Sequence, residues 1–360
     1  MSLARADRRA SLAALALVVA LGGASGCTPT LSAPRGDAHL RALAQAGRAY
    51  RAGRMDEAAR AYGVAARHAE RRVDRDESRY RRAVALERAG HVAEAISTLD
   101  AVAAALPKSR RTARALYDAS RLRIARGERA SGLAGMRRVV REHPGTGLAS
   151  PALRVILEDF ASRHDRAAAL AFVRALHREV GESELGDDLR VAEARLLLES
   201  GDRAAARAAL ERALEEQPYP HMQRWDDILW QLADLDEEDH DPHAAVRHLE
   251  RMLSVHEHTG PPGTYTLPRM PDAALRIARL TRDALHDAPA AERAYERVIE
   301  DFPHARVRDD AMLELASLLF ARDARDAACE RLAVLLAEYE VGRARREAAA
   351  LRAARCRAAP

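Results

Sequence analysis

Apolar positions in this chain fall at helical offsets, and the same set returns at a near-constant interval. A small residue is followed four positions later by a bulky one, and three later again by an apolar one. The series runs Ala58/Tyr62/Ala65, Ala95/Leu99/Val102, Gly132/Met136/Val139, Ala169/Val173/Leu176, Ala206/Leu210/Ala213, Ala245/Leu249/Met252, Ala291/Tyr295/Val298 and Ala328/Leu332/Leu335. Its first members step by 37 (58, 95, 132, 169, 206), then by 39, 46 and 37. Offsets of four and three place each trio on one helical face. The small first member lets a second helix approach closely. Five residues before it a glycine often stands, as at Gly53, Gly90, Gly127 and Gly201. Glycine there ends the preceding helix through a left-handed cap. Pro107, Pro144, Pro218 and Pro303 follow the trios and stop the second helix. The pattern predicts about eight helical hairpins.

This signature resembles the tetratricopeptide repeat, whose second helix carries Ala-x3-Phe with a later proline. The resemblance covers residues 40–340 and implies an all-α, right-handed superhelical solenoid. The stretch Ala291-x3-Tyr295-x2-Val298-Ile299-x2-Phe302-Pro303, followed by Asp310-Ala311-Met312-Leu313, is the sharpest copy. It resembles the periplasmic TPR group that includes the outer-membrane β-barrel assembly lipoprotein and the Tol–Pal-associated coordinator. That group implies envelope scaffolding. The expected plan places hairpins 1–6 at residues 39–255, a Pro/Gly-rich loop at 256–271 and hairpins 7–8 at 272–340. A charged C-terminal helix within 341–360 would cover the last apolar face, as a solenoid end requires. Four prolines in 256–271 exclude a regular helix there. A tolerated surface insertion is the plainer reading of that loop, and a partner-contacting protrusion the alternative.

The first residues break from the repeat. Arg5, Arg8 and Arg9 precede the short apolar run Leu12 to Leu21, small residues follow, and then comes Cys27. A basic start, a short apolar core and small residues form a secretory signal, expected at 1–26. The run falls short of the roughly 20 apolar residues a spanning helix needs. Ala24-Ser25-Gly26-Cys27 resembles the bacterial lipobox, which implies lipid attachment at Cys27. Ordinary cleavage that leaves Cys27 unmodified is the alternative. Residues 27–38 then form a tether, and its ten residues Thr28 to Asp37 reach roughly 35 Å when extended.

Composition narrows the function. Aromatics are 4% within a hydrophobic fraction of 48%, so the core must be built from Ala, Leu and Val. The formal charge of +4 includes +2 from residues 1–26 (three Arg against Asp7), leaving about +2 for the mature chain. That balance argues against nucleic acid. No nucleophile elbow, phosphate loop or zinc-ligand spacing occurs, and no cofactor or metal is expected. His240 and His243 beside Asp239 and Asp241, with His256 and His258 beyond, read as polar turn residues rather than metal ligands.

Binding is expected on the concave face of the array. By register its wall takes one first-helix residue per hairpin. The candidates are Tyr80, Tyr117, Arg154, Trp230 and Arg276, with Val191 and Leu313 in the same series. Tyr, Trp and Arg are the side chains enriched at binding hot spots. The competing reading is that the aromatics pack between neighbouring hairpins. Cys329 and Cys356 fall at matching heights on two antiparallel helices, which allows but does not require a disulfide in an oxidising compartment. The leading expectation is a non-catalytic scaffold for envelope assembly, cell-wall or secretion machinery. It would face the periplasm, anchored to the outer membrane through its N-terminal lipid, and bind protein partners of the cell envelope. The alternatives are an accessory subunit of a peptidoglycan-modifying enzyme and a soluble periplasmic peptide-binding adaptor.

Overall fold

The computed structural model describes residues 36–105, 109–216, 219, 224–255 and 269–356. The expected signal segment, Cys27, most of the tether, Pro107, Pro218 and most of the 256–271 loop lie outside the described residues. Within them the fold is all-α, with seventeen helices. The chain divides into two compact units, residues 1–135 and 136–360.

The first unit holds α1 (Asp37–Arg51), α2 (Met55–Arg67), α3 (Arg72–Arg88), α4 (Val92–Ala103) and α5 (Thr112–Ala125). It also takes the start of α6 (Arg129–Glu142). Alanine dominates its core: Ala46, Ala49, Ala58, Ala85 and Ala95 are fully buried around Tyr62 and Leu99. The small trio member earns its place at Gly132. A Cβ there would meet the Ser120 carbonyl oxygen at 2.7 Å and Ile124 Cγ1 at 2.5 Å, so the backbones of α5 and α6 approach too closely for any side chain.

The second unit continues through α7 (Ala149–Ser162), α8 (Arg166–Val180), α9 (Leu185–Glu199), α10 (Arg203–Glu216), α11 (Trp225–Glu238) and α12 (Pro242–Leu253). It ends with α13 (Met270–Asp283), α14 (Ala288–Asp301), α15 (Arg308–Ala321), α16 (Arg325–Glu338) and α17 (Arg343–Arg355). One apolar core runs from Ala194 to Ala348. All members of the eight trios are buried. Helix α13 starts at Met270, ahead of the expected position 272, because Pro271 occupies its first turn. A proline is tolerated there, where its missing N–H has no intrahelical partner.

Each hairpin turns through one residue of positive φ, five before the small trio member. Glycine fills the position at Gly53, Gly90, Gly127 and Gly201; His164, His240, His286 and Asp323 fill it in the other four hairpins, with φ of 54 to 60°. The following amide closes the turn onto the first helix, as Arg54 N–H does to Ala49 O at 3.0 Å and Asp241 N–H to Asp236 O at 2.8 Å. In the second unit the next residue is often an aspartate that caps the second helix. Asp165, Asp202, Asp241 and Asp287 accept from the amides of Ala168, Ala205, Ala244 and Ala290. His240 is therefore a turn residue. Its neighbour Asp239 is held by Arg203 at 2.8 Å and Arg207 at 3.0 Å.

Helix α17 buries only Ala344 and Ala348. Polar contacts supplement that small face: Arg343 donates to Asp310 at 2.7 Å, Arg345 to the Leu336 and Tyr339 carbonyls at 2.6 and 2.8 Å, and Arg325 to the Arg355 carbonyl at 2.6 Å. Cys329 and Cys356 form a disulfide with a Cα–Cα distance of 5.7 Å, tying the end of α17 to α16.

Candidate protein-binding surface

The first helices of successive hairpins lie side by side within each unit, and a recurring ion pair joins them. A carboxylate three residues before the wall position meets an arginine at the start of the next first helix. Glu77–Arg111 is the example in the first unit, at 2.5 Å. Asp188–Arg224, Asp227–Arg269 and Asp310–Arg343 follow in the second, at 2.8, 2.8 and 2.7 Å. Burial pushes the Glu77 carboxyl upward, but hydrogen bonds from Arg111 and Arg81 outweigh it and hold the group below its ordinary value.

Contacts between neighbouring hairpins occupy three of the seven wall residues read from the pattern. Tyr80 is half-buried; its hydroxyl donates to Asp118 at 2.9 Å and its ring lies under Arg111 at 4.5 Å. Trp230 is half-buried beneath two arginines of the next hairpin, Arg276 at 4.6 Å and Arg269 at 5.1 Å. Arg276 is paired in turn with Asp234 and Glu237, both at 2.6 Å. Leu313 is buried in the core. So Tyr80 and Trp230 join hairpins to one another, the competing role given to the aromatics, and Arg276, expected only on the groove wall, does the same. Tyr117 is half-buried on α5.

Arg154 differs. It is exposed on α7, and among the described residues no carboxylate pairs with it. It lines a cavity of about 310 Å³ between α7 and α9. Leu153, Leu157, Val191 and Ala192 supply the apolar part of the lining, and Arg195 and Arg224 stand with Arg154 as its cations. Arg224 is occupied by Asp188 and Asp227, whereas Arg195 has only a 3.7 Å pairing with Glu199 one turn on. The structure therefore brings Arg154 and Val191 together and leaves an apolar pocket with two under-paired guanidiniums on its wall. Register placed Arg195 on the groove but missed Leu153 and Leu157, because which hairpin retains open space depends on the partners of each wall residue.

Comparison with known proteins agrees with the fold. The tetratricopeptide-repeat family profile matches residues 77–109, which run from within α3 through α4. This is a tetratricopeptide-repeat fold. Among solved structures, a tetratricopeptide repeat protein from Parabacteroides merdae is 14% identical, with 79% of this chain and 100% of that one covered and a TM-score of 0.36. PilF of Pseudomonas aeruginosa is 17% identical over 67% of this chain and 97% of its own, with a TM-score of 0.39. The C-terminal part of a TPR repeat-containing protein from Cytophaga hutchinsonii is 12% identical over 75% of this chain and 98% of its own, with a TM-score of 0.44. No curated protein matches the sequence. Repeats of this kind support a protein–protein interaction role.

Proposed function

We propose that this chain is a lipid-anchored scaffold of the bacterial cell envelope, and that it receives an extended segment of a protein partner across α7 and α9. The observation that carries the binding part is the cavity at Arg154. It combines an apolar lining, free volume for one or two side chains and unpaired positive charge, whereas the equivalent positions at Tyr80 and Trp230 are closed by arginines of the next hairpin. A side chain buried in such a pocket contributes through apolar area, and a carboxylate beside it gains a charge-assisted hydrogen bond. The anchor rests on the basic, apolar and small-residue order that ends at Cys27. The proposed location is the periplasmic face of the outer membrane.

Charge reversal at Arg154→Glu tests the surface. The residue is exposed, so the fold should be unaffected. Binding of the envelope partner should weaken by at least tenfold, about 1.4 kcal/mol. Unchanged affinity would move the binding surface elsewhere on the array.

A further inference from the structure

A second cavity, of about 240 Å³, opens between the second helices α8 and α10 over α9. Its lining is polar: His177 from α8, Arg190 and Glu193 from α9, Arg212 and Glu216 from α10. Arg190 is only 8% exposed, yet it is poorly paired. Its Nη1 reaches Asp187 at 3.3 Å, its Nη2 reaches Glu216 at 3.5 Å, and its Nε is buried with no hydrogen-bond partner. A guanidinium stays charged at any relevant pH. Burying one is unfavourable unless good hydrogen bonds surround it. Nε and Nη2 form one of the two edges by which arginine grips a planar or tetrahedral oxyanion with two parallel bonds. That edge holds one long contact to a carboxylate whose side chain is 56% exposed.

We propose that this cavity is a small-oxyanion site, in which a carboxylate or phosphoryl group takes the Nε/Nη2 edge of Arg190, displaces Glu216 and draws a proton onto His177. The charge balance supports the proton. The cations around the cavity are Arg174, Arg190 and Arg212, and the anions are Asp187, Glu193 and Glu216, with Glu182 also acting on His177. Glu193 is committed to Arg174 at 2.8 Å. An incoming anion adds one uncompensated negative charge, and His177 is the neighbour able to neutralise it. In the free protein burial, and then the charge of Arg190, hold His177 below its ordinary value, against smaller upward pulls from Glu193, Glu216 and Glu182. The imidazole is therefore neutral at pH 7. A bound anion covers the Arg190 charge and raises the His177 value. A group whose value is higher in the complex takes up a proton on binding, so affinity rises as pH falls.

The test uses sulfate and acetate, whose charges are constant between pH 6 and 7.5. Each is titrated by NMR into the mature chain, and the His177 ring is assigned through His177→Gln. The expected result is saturable binding that is several-fold tighter at pH 6 than at pH 7.5. Glu216→Gln, at an exposed position, should tighten it roughly threefold to tenfold by removing the internal competitor. Arg190→Gln should abolish it. Preference for sulfate assigns a phosphoryl-type ligand, and preference for acetate a carboxylate. Non-saturable shifts with both anions, or unchanged affinity in Glu216→Gln, would overturn the proposal.

Discussion

At the scale of single residues, the structure turns on where a side chain is forbidden and where one is merely strained. Gly132 shows the first case. Alanine in place of a helical glycine ordinarily stabilises by about 1 kcal/mol. Here the added Cβ would press on the Ser120 carbonyl and Ile124, neither of which can move freely. Overpacking of this kind costs about 1–3 kcal/mol, so Gly132→Ala should lower the urea midpoint rather than raise it. The hairpin turns show the second case. Gly90 has a φ of +87° and no atom within 4 Å of its would-be Cβ. Gly90→Ala should therefore lose about 1 kcal/mol from backbone strain alone. The reverse change, His240→Gly, relieves a φ of 60° and should stabilise, although the more flexible unfolded chain keeps the gain below about 1 kcal/mol. Opposite signs for the two substitutions in one urea series check the reading. The glycine turns were legible in the sequence because glycine is the usual left-handed residue. His164, His240, His286 and Asp323 could be placed only by phase, five residues before a small one, since His and Asp tolerate a positive φ but far more often stand outside the left-handed region.

At the scale of helices, contacts between neighbours decide which wall residues remain available. The helical trios were readable because burial of one face at period 3.6 constrains every fourth and third residue alike. The destination of Trp230 was not. It depends on Arg269 and Arg276, which lie 39 and 46 positions further on and beyond the 256–268 segment. Because Trp230 packs against the core and under two guanidiniums, Trp230→Ala should lower stability by about 3 kcal/mol. Partner affinity measured on the folded fraction should be unchanged. A large loss of affinity with stability intact would restore Trp230 as a binding anchor. The terminal helix α17 makes a similar point. With two alanines as its buried face, it depends on the Cys329–Cys356 bridge, which spans 27 positions. In the chain-entropy view such a loop contributes about 3 kcal/mol. Cys356→Ser should then speed amide exchange through residues 343–355 while leaving α7 and α9 protected. Uniform protection in the variant would show that the arginine contacts suffice.

At the scale of the whole molecule, the proposed function joins two parts: the proposed lipid address at Cys27 and the repeats that follow it in sequence. The repeats were read from periodicity, and the fold agrees. The binding surface was read only as a series of equivalent positions, because a repeat makes its members look alike in sequence. What separates Arg154 from Trp230 is the identity of the next hairpin's side chains. The address is tested by Cys27→Ser. The chain should leave the membrane fraction and lose the mass of its lipid; persistence with membranes at unchanged mass would contradict the anchor. The central claim, that α7 and α9 carry the partner, is tested most directly by placing a photo-crosslinking residue at Glu158, exposed one turn beyond Arg154 on α7, and, for comparison, at Val334 on α16. Irradiation of intact cells should give one protein adduct from position 158, none from 334, and none from 158 when Arg195→Glu is also present. Equal adducts from both positions, or an adduct from 334 alone, would contradict the account.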